Sequence, residues 1–203
     1  MSILKVFDNI IEKPLQEEIK SIMLINCSEF PYYFLSDVTS GDLGNQGRPG
    51  FLHLFCDNFK ENSEHFSMIR PIIDYTAGKL KLKLPQIIKS RAFLQVPLSL
   101  KDYTVDNAHI DDKRPHIVFL YYVTDGDGDT IIYDKKWEKG TQNMSSEETA
   151  KLLIKKKITP KQGRVVVFDG RYWHTAEQPR QNNRCVINNN ITYEGINADL
   201  QIL

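Results

Sequence analysis

From residue 91 onward the chain breaks into short apolar runs separated by turn residues, at 92–96, 108–110, 116–124, 130–133, 163–168, 172–176 and 185–192. Runs this short, rich in Val, Ile, Phe and Tyr, predict an antiparallel barrel or sandwich rather than parallel βαβ units. Residues 1–90 read differently. A strand-like run at 3–10 precedes Leu15, Ile19, Ile22 and Met23 at helical spacing, with Pro14 suited to the first turn. Residues 62–83 read as a second helix, kinked or restarted at Pro71. Helices first and strands afterwards predict an α+β, mainly β chain: a jelly-roll core over 91–194 with a helical support region over 1–90, one domain spanning 1–203. A chain of 203 residues buries about 70% of its unfolded surface, enough for an internal pocket.

Within that frame, His109 and Asp111 stand two positions apart on a short run, so alternation along an extended strand turns both to one face. His174 lies on a late apolar run, too far along the chain for a local clip, so a folded β scaffold must bring it to the pair. Two imidazoles and one carboxylate on one face of an octahedron, with the other positions open, is the donor set of non-haem Fe(II) oxygenases. His116 is the competitor for the third place, but it lacks the Gly-then-apolar-strand context that precedes His174. His53 and His65 have no second donor at a convincing interval.

Several strings together resemble the 2-oxoglutarate and Fe(II)-dependent dioxygenases, and most closely their prolyl 4-hydroxylase-like branch. They are Leu94-Gln95-Val96, His109-Ile110-Asp111, Arg114 ahead of the apolar run 117–122, Gly128-Asp129-Thr130, the run 163–168, and Trp173-His174 with Arg184. The resemblance covers about half the chain. It implies a double-stranded β-helix with iron at its open end, held by His109, Asp111 and His174. It further implies dioxygen-dependent hydroxylation of a peptidyl residue, proline included, or of a free amino acid, with release of succinate and carbon dioxide and with ascorbate as an accessory reductant.

2-Oxoglutarate ends in a distal carboxylate that a buried site must neutralise. Arg184 is the candidate, because a guanidinium grips a carboxylate with two parallel hydrogen bonds and the resembling proteins carry Lys or Arg at this offset. The turn-rich stretch 179–183 lets the following strand fold back beside the one carrying His174. An ordinary hairpin arginine is the alternative. By resemblance Thr130 and Tyr122 reach the same carboxylate, with core packing the alternative for Tyr122, while Arg114, Trp173 and Asn190 fall near the mouth, where substrate would sit. Two departures are visible: Asp127-Gly128 stands where the branch pairs glycines, and Leu98, Ser99 and Leu100 stand where it often has a tyrosine.

Composition narrows the partners. The 26 basic and 26 acidic residues cancel, which disfavours nucleic-acid and membrane surfaces. The nucleic-acid demethylases of the same superfamily pair the first arginine with a second six residues later, and position 190 is Asn. No run is long enough to span a bilayer, and Cys27, Cys56 and Cys185 are odd in number and scattered, so a cytoplasmic protein without disulfides is expected. Asp125, Asp127 and Asp129 alternate like a calcium loop but lack its distal Glu, so they read as a tight turn. Residues 40–50 suit a flap or a plain surface excursion, and 145–157 a surface helix with a solvated lysine face. The alternatives in function are a non-catalytic, cupin-like metal-binding jelly roll and a zinc hydrolase. Neither gives Arg184 a purpose.

Overall fold

The computed structural model describes residues 3–25, 27–38, 48–99 and 105–193. Eleven strands occur among them: β1 (Leu4–Phe7), β2 (Tyr33–Leu35), β3 (Gly50–Asp57), β4 (Lys60–Glu61), β5 (Gln86–Gln95), β6 (Ile117–Tyr122), β7 (Thr130–Lys136), β8 (Ile154–Ile158), β9 (Val165–Asp169), β10 (Tyr172–Ala176) and β11 (Arg184–Thr192). The major sheet runs β1-β9-β6-β11-β5-β3-β2, with β4 on β3, and the minor sheet runs β10-β7-β8. Every strand pairing is antiparallel. After β6 the chain enters the minor sheet for β7 and β8, returns for β9, crosses again for β10 and comes back as β11. That alternation makes the jelly roll and leaves a cleft between the sheets.

Strand β6 shows why its run is apolar at every position. Ile117, Phe119 and Tyr121 face the helices, while Val118, Leu120 and Tyr122 face the minor sheet, meeting Ile132, Ile158 and Tyr172. A central strand buried on both sides loses the polar alternation of a solvated one. The helix-side layer is built by α1 (Lys13–Lys20), continued by a π turn at Ser21–Ile25, and by α2 (Phe66–Leu80). Pro14 lies in the first turn of α1. Pro71 lies inside α2 without breaking it, because Ile69, Ile72 and Ile73 around it are buried against the sheet.

Four expectations need correction. Residues 1–90 are more than a helical support: they also supply β1 to β4 and the start of β5, so β1 closes one edge of the major sheet and β3 and β2 extend the other. Run 50–57 is apolar at most positions because Phe55 and Cys56 join the main core and the remaining positions are buried or half-buried. Residues 145–157 form only a five-residue helix, α3 (Ser146–Ala150), followed by edge strand β8. The capping box at Ser145 and Glu148 starts α3, and the lysine run then lies on β8. Run 108–110 is not a full strand: His109 makes bridges to Asn143 and His174 that extend the minor sheet. Residues 125–129 do not make a tight turn but belong to the loop that carries the chain from β6 in the major sheet to β7 in the minor one, and Asp127 there accepts from the backbone N–H groups of Arg180, Gln181 and Asn182 at 3.0, 3.0 and 3.1 Å. This ties the β6–β7 loop to the β10–β11 turn. The possible flap at 40–50 lies, up to residue 47, outside the described residues.

Candidate metal centre

His109 and His174 are directly opposed. The N–H of His109 donates to the His174 carbonyl at 2.9 Å and the N–H of His174 to the His109 carbonyl at 3.0 Å, a hydrogen-bonded antiparallel pair that fixes both backbones. Their rings stand 4.5 Å apart at 54°. Asp111 follows two residues after His109, and one donor atom from each of the three lies within 4.8 Å of the others.

The hydrogen bonds select the donor atoms. His174 Nδ1 lies 2.9 Å from the Tyr172 carbonyl, which only accepts, so that nitrogen carries the proton and Nε2 is left with its lone pair. Nε2 is buried and has no hydrogen-bond partner, and its nearest carboxylate oxygen, Asp111 Oδ2, is 3.5 Å away. His109 Nδ1 faces the Asn107 carbonyl at 3.4 Å in the same manner. Burial, with the neighbouring His174, pushes His109 down to about 4, so its imidazole is neutral at physiological pH. Burial works to raise the Asp111 carboxyl, but its polar and charged surroundings, with the Arg91 guanidinium bonded directly to it, outweigh that and hold it well below the usual carboxylate range. A buried lone pair without a donor, beside a neutral imidazole and an ionised carboxylate, fits a divalent cation.

Asp111 is held from the major sheet. Arg91 Nη2 donates to its Oδ1 at 2.8 Å and Asn188 Nδ2 to its Oδ2 at 3.0 Å. Arg91 on β5 and Asn188 on β11 are direct partners in the sheet, so one rigid pair orients the carboxylate. Neither residue was singled out from sequence. Period-two alternation along β11 from Arg184 through Val186 was the one signal that pointed to Asn188.

The triad lines a cavity of about 290 Å³ whose wall also includes Arg91, Gln95, Asp106, Thr130 and Arg184. Arg184 is 5% exposed. It donates from Nε to the Gly128 carbonyl at 2.9 Å, from Nη1 to Gln95 Oε1 at 3.1 Å and from Nη2 to Thr130 Oγ1 at 2.9 Å. All three acceptors are neutral. Thr130 Oγ1 also accepts from the Tyr122 hydroxyl at 2.7 Å, so its own proton is free to be donated into the cavity it lines. Tyr122 stands behind Thr130 and does not line the cavity. Strand β11 does not fold back beside β10: it crosses to the opposite sheet, and Arg184 reaches the cavity across the cleft.

The three expected mouth residues lie elsewhere. Arg114 is exposed, grips Asp112 and donates to Asn58 Oδ1 at 3.0 Å, away from the cavity wall. Trp173 points opposite to its neighbour His174 and packs with Ala108, Ile110, Ile131, Tyr133 and Met144. Asn190 is buried beyond Asn188, off the cavity wall. His116 is buried with Nδ1 on the Arg114 carbonyl at 2.8 Å, and it is not part of the donor cluster.

No family model and no curated protein matches this sequence. Solved structures do resemble it in fold. The non-haem α-ketoglutarate-dependent carbocyclase SnoK of nogalamycin biosynthesis superposes with a TM-score of 0.63 at 12% identity over 97% of this chain and 84% of its own. A prolyl hydroxylase from Trichoplax adhaerens, solved with a peptide of hypoxia inducible factor, gives 0.58 at 12% over 98% and 87%. The viral collagen prolyl hydroxylase of Paramecium Bursaria Chlorella virus-1, solved with 2-oxoglutarate, gives 0.52 at 13% over 93% and 94%. The chain therefore has the jelly-roll fold of the 2-oxoglutarate and Fe(II)-dependent oxygenases, prolyl hydroxylases among them.

Proposed function

We propose that residues 1–203 form one catalytic unit, a 2-oxoglutarate- and Fe(II)-dependent dioxygenase that hydroxylates a peptidyl (prolyl included) or free amino-acid substrate. One observation carries the reading: Arg184, buried and among the described residues hydrogen-bonded only to neutral acceptors, lies in the same cavity as the His109, Asp111 and His174 donors. Asp106 and Asp129 act on this guanidinium without a direct hydrogen bond; a buried guanidinium bonded to no anion is costly, and a co-substrate carboxylate relieves that cost. Metal binding alone gives this arginine no role.

In this reading His109, Asp111 and His174 hold ferrous iron, which when bound supplies dioxygen activation coupled to oxidative decarboxylation of 2-oxoglutarate to succinate and carbon dioxide. Arg184 and the Thr130 hydroxyl fix the distal carboxylate, and Tyr122 fixes Thr130. Arg91 and Asn188 keep Asp111 turned towards the two imidazoles. Ascorbate serves as accessory reductant. The buried free thiols of Cys56 and Cys185 support a reducing, cytoplasmic setting, and no helix among the described residues is long and apolar enough to cross a membrane.

The test is anaerobic. Fe(II) and 2-oxoglutarate together are expected to produce a weak visible charge-transfer band, and Arg184→Gln is expected to raise the 2-oxoglutarate concentration needed by roughly 10- to 100-fold. Iron uptake with no band favours the non-catalytic, cupin-like module. A nucleic-acid substrate is disfavoured by the balanced charge and by Asn at position 190.

A further inference from the structure

Arg91 is the second arginine of the cavity, set beside the metal donors rather than at the Arg184 end. Its Nη2 is spent on Asp111 Oδ1, its Nε has no partner among the described residues, and its guanidinium lies over the Phe93 ring, 5.2 Å from the centroid. A fifth of the side chain remains exposed, at 20%. Phe93 also lines the cavity, so the planar group is held against an apolar wall and open on the cavity side.

Charge decides what belongs there. Beside the metal donors the charged pair is one guanidinium, Arg91, and one carboxylate, Asp111, and at the other end of the cavity Asp106 acts on Arg184. Arg48 Nε also pairs with Asp106 Oδ1, at 3.1 Å. A divalent cation takes up the charge of Asp111 and releases that of Arg91. Doubly charged 2-oxoglutarate then offsets Arg184 and part of the cation, and one positive charge is left on the Arg91 side. A cavity of about 290 Å³ that also admits the co-substrate leaves space for a small molecule.

Resting on the oxygenase reading, we propose that the primary substrate is a small carboxylic acid of free amino-acid type, its carboxylate gripped by Arg91 next to the metal. The backbone of an internal peptide residue has no carboxylate to offer at this point. A guanidinium that is already stacked and tethered loses little freedom on binding a planar anion, which favours the acid over an equally large neutral amide.

The test uses protein loaded with Ni(II) and 2-oxoglutarate, with binding read by calorimetry and no turnover required. The probes are the L-amino acids, their carboxamides and N-acetylated, C-amidated single residues. At least one free acid is expected to bind, its carboxamide roughly 10- to 100-fold more weakly. Arg91→Gln is expected to erase that difference and Arg91→Lys to keep part of it, with metal content measured for each variant because Arg91 also orients Asp111. Equal binding of acid and amide, preference for the doubly blocked residues, or no binding of any acid overturns the proposal. Failure of the Ni(II)-loaded wild type to take up 2-oxoglutarate is a different result: it overturns the oxygenase reading, and this inference with it.

Discussion

At the scale of single residues, the buried titratable groups decide how the metal-free protein responds to acid. His109 titrates at about 4 when folded against an ordinary 6.5. Between those values the unfolded chain binds the extra proton first, so this residue's contribution is full above pH 6.5 and is lost as pH falls towards 4. Allowing for the part-buried position of His109, the loss amounts to about 2 kcal/mol. Asp106 runs the other way. Burial, only partly offset by Arg48 and Arg184, pushes it up to about 6 from 3.8, so between those values the folded state holds more protons and stability falls as pH rises. The wild-type profile mixes the two, and comparison with His109→Gln separates them. In urea unfolding without metal, the wild type should lose ground against this variant between pH 6.5 and 4.5; a difference that stays constant across that range refutes the buried neutral histidine. The three donors were legible because their residue types encode metal chemistry, while the shared face comes from the bridge of His109 to His174 and from the hold of Arg91 and Asn188 on Asp111 rather than from strand alternation. Arg91 was not, since an arginine opening a β run reads the same whether it meets water or Asp111.

At the scale of elements, alternation explains most of what each strand does. On β10 His174 faces the cleft and Trp173 the outer cluster, while on β11 Arg184, Val186 and Asn188 share the cavity face. The β6–β7 loop works by close approach. A Cβ on Gly128 would sit 2.7 Å from the Glu177 carbonyl oxygen and 2.9 Å from Arg184 Cδ, and the Gly128 carbonyl is itself an Arg184 acceptor. Gly128→Ala should therefore displace Arg184, weakening 2-oxoglutarate binding at least several-fold with stability reduced by about 1–3 kcal/mol and metal affinity retained. Titrations of metal and of 2-oxoglutarate check this; a stability loss with unchanged co-substrate affinity would mean that the loop moves and the arginine does not. The expectation that β11 folds back beside β10 failed because the turn residues at 179–183 signal a reversal but not the sheet in which the next strand pairs.

For the whole molecule, the donor cluster spans the cleft. His109 and His174 belong to the minor sheet, while Asp111 is anchored to the major sheet through Arg91 and Asn188. A cation held by all three links the two sheets and binds only the folded state. Divalent metal at a hundredfold excess over its Kd should stabilise the protein by about 2.7 kcal/mol, raising Tm by roughly 5–10 °C. Thermal scans with and without metal test it: His174→Ala should remove the shift, and a shift that survives would place the cation elsewhere. The sequence by itself determined the strand-rich core and the donor types at 109, 111 and 174, because apolar patterning and donor chemistry are local properties, whereas Arg184 was marked out by the resemblance to the dioxygenases. Only the tertiary structure decided that β1 to β3 join the major sheet, that Arg114, Trp173 and Asn190 stand off the cavity, and that Arg91 and Asn188 hold Asp111. Those facts depend on which strands pair across long stretches of chain, and pairing is set by the burial of whole faces against one another rather than by any residue's neighbours in sequence.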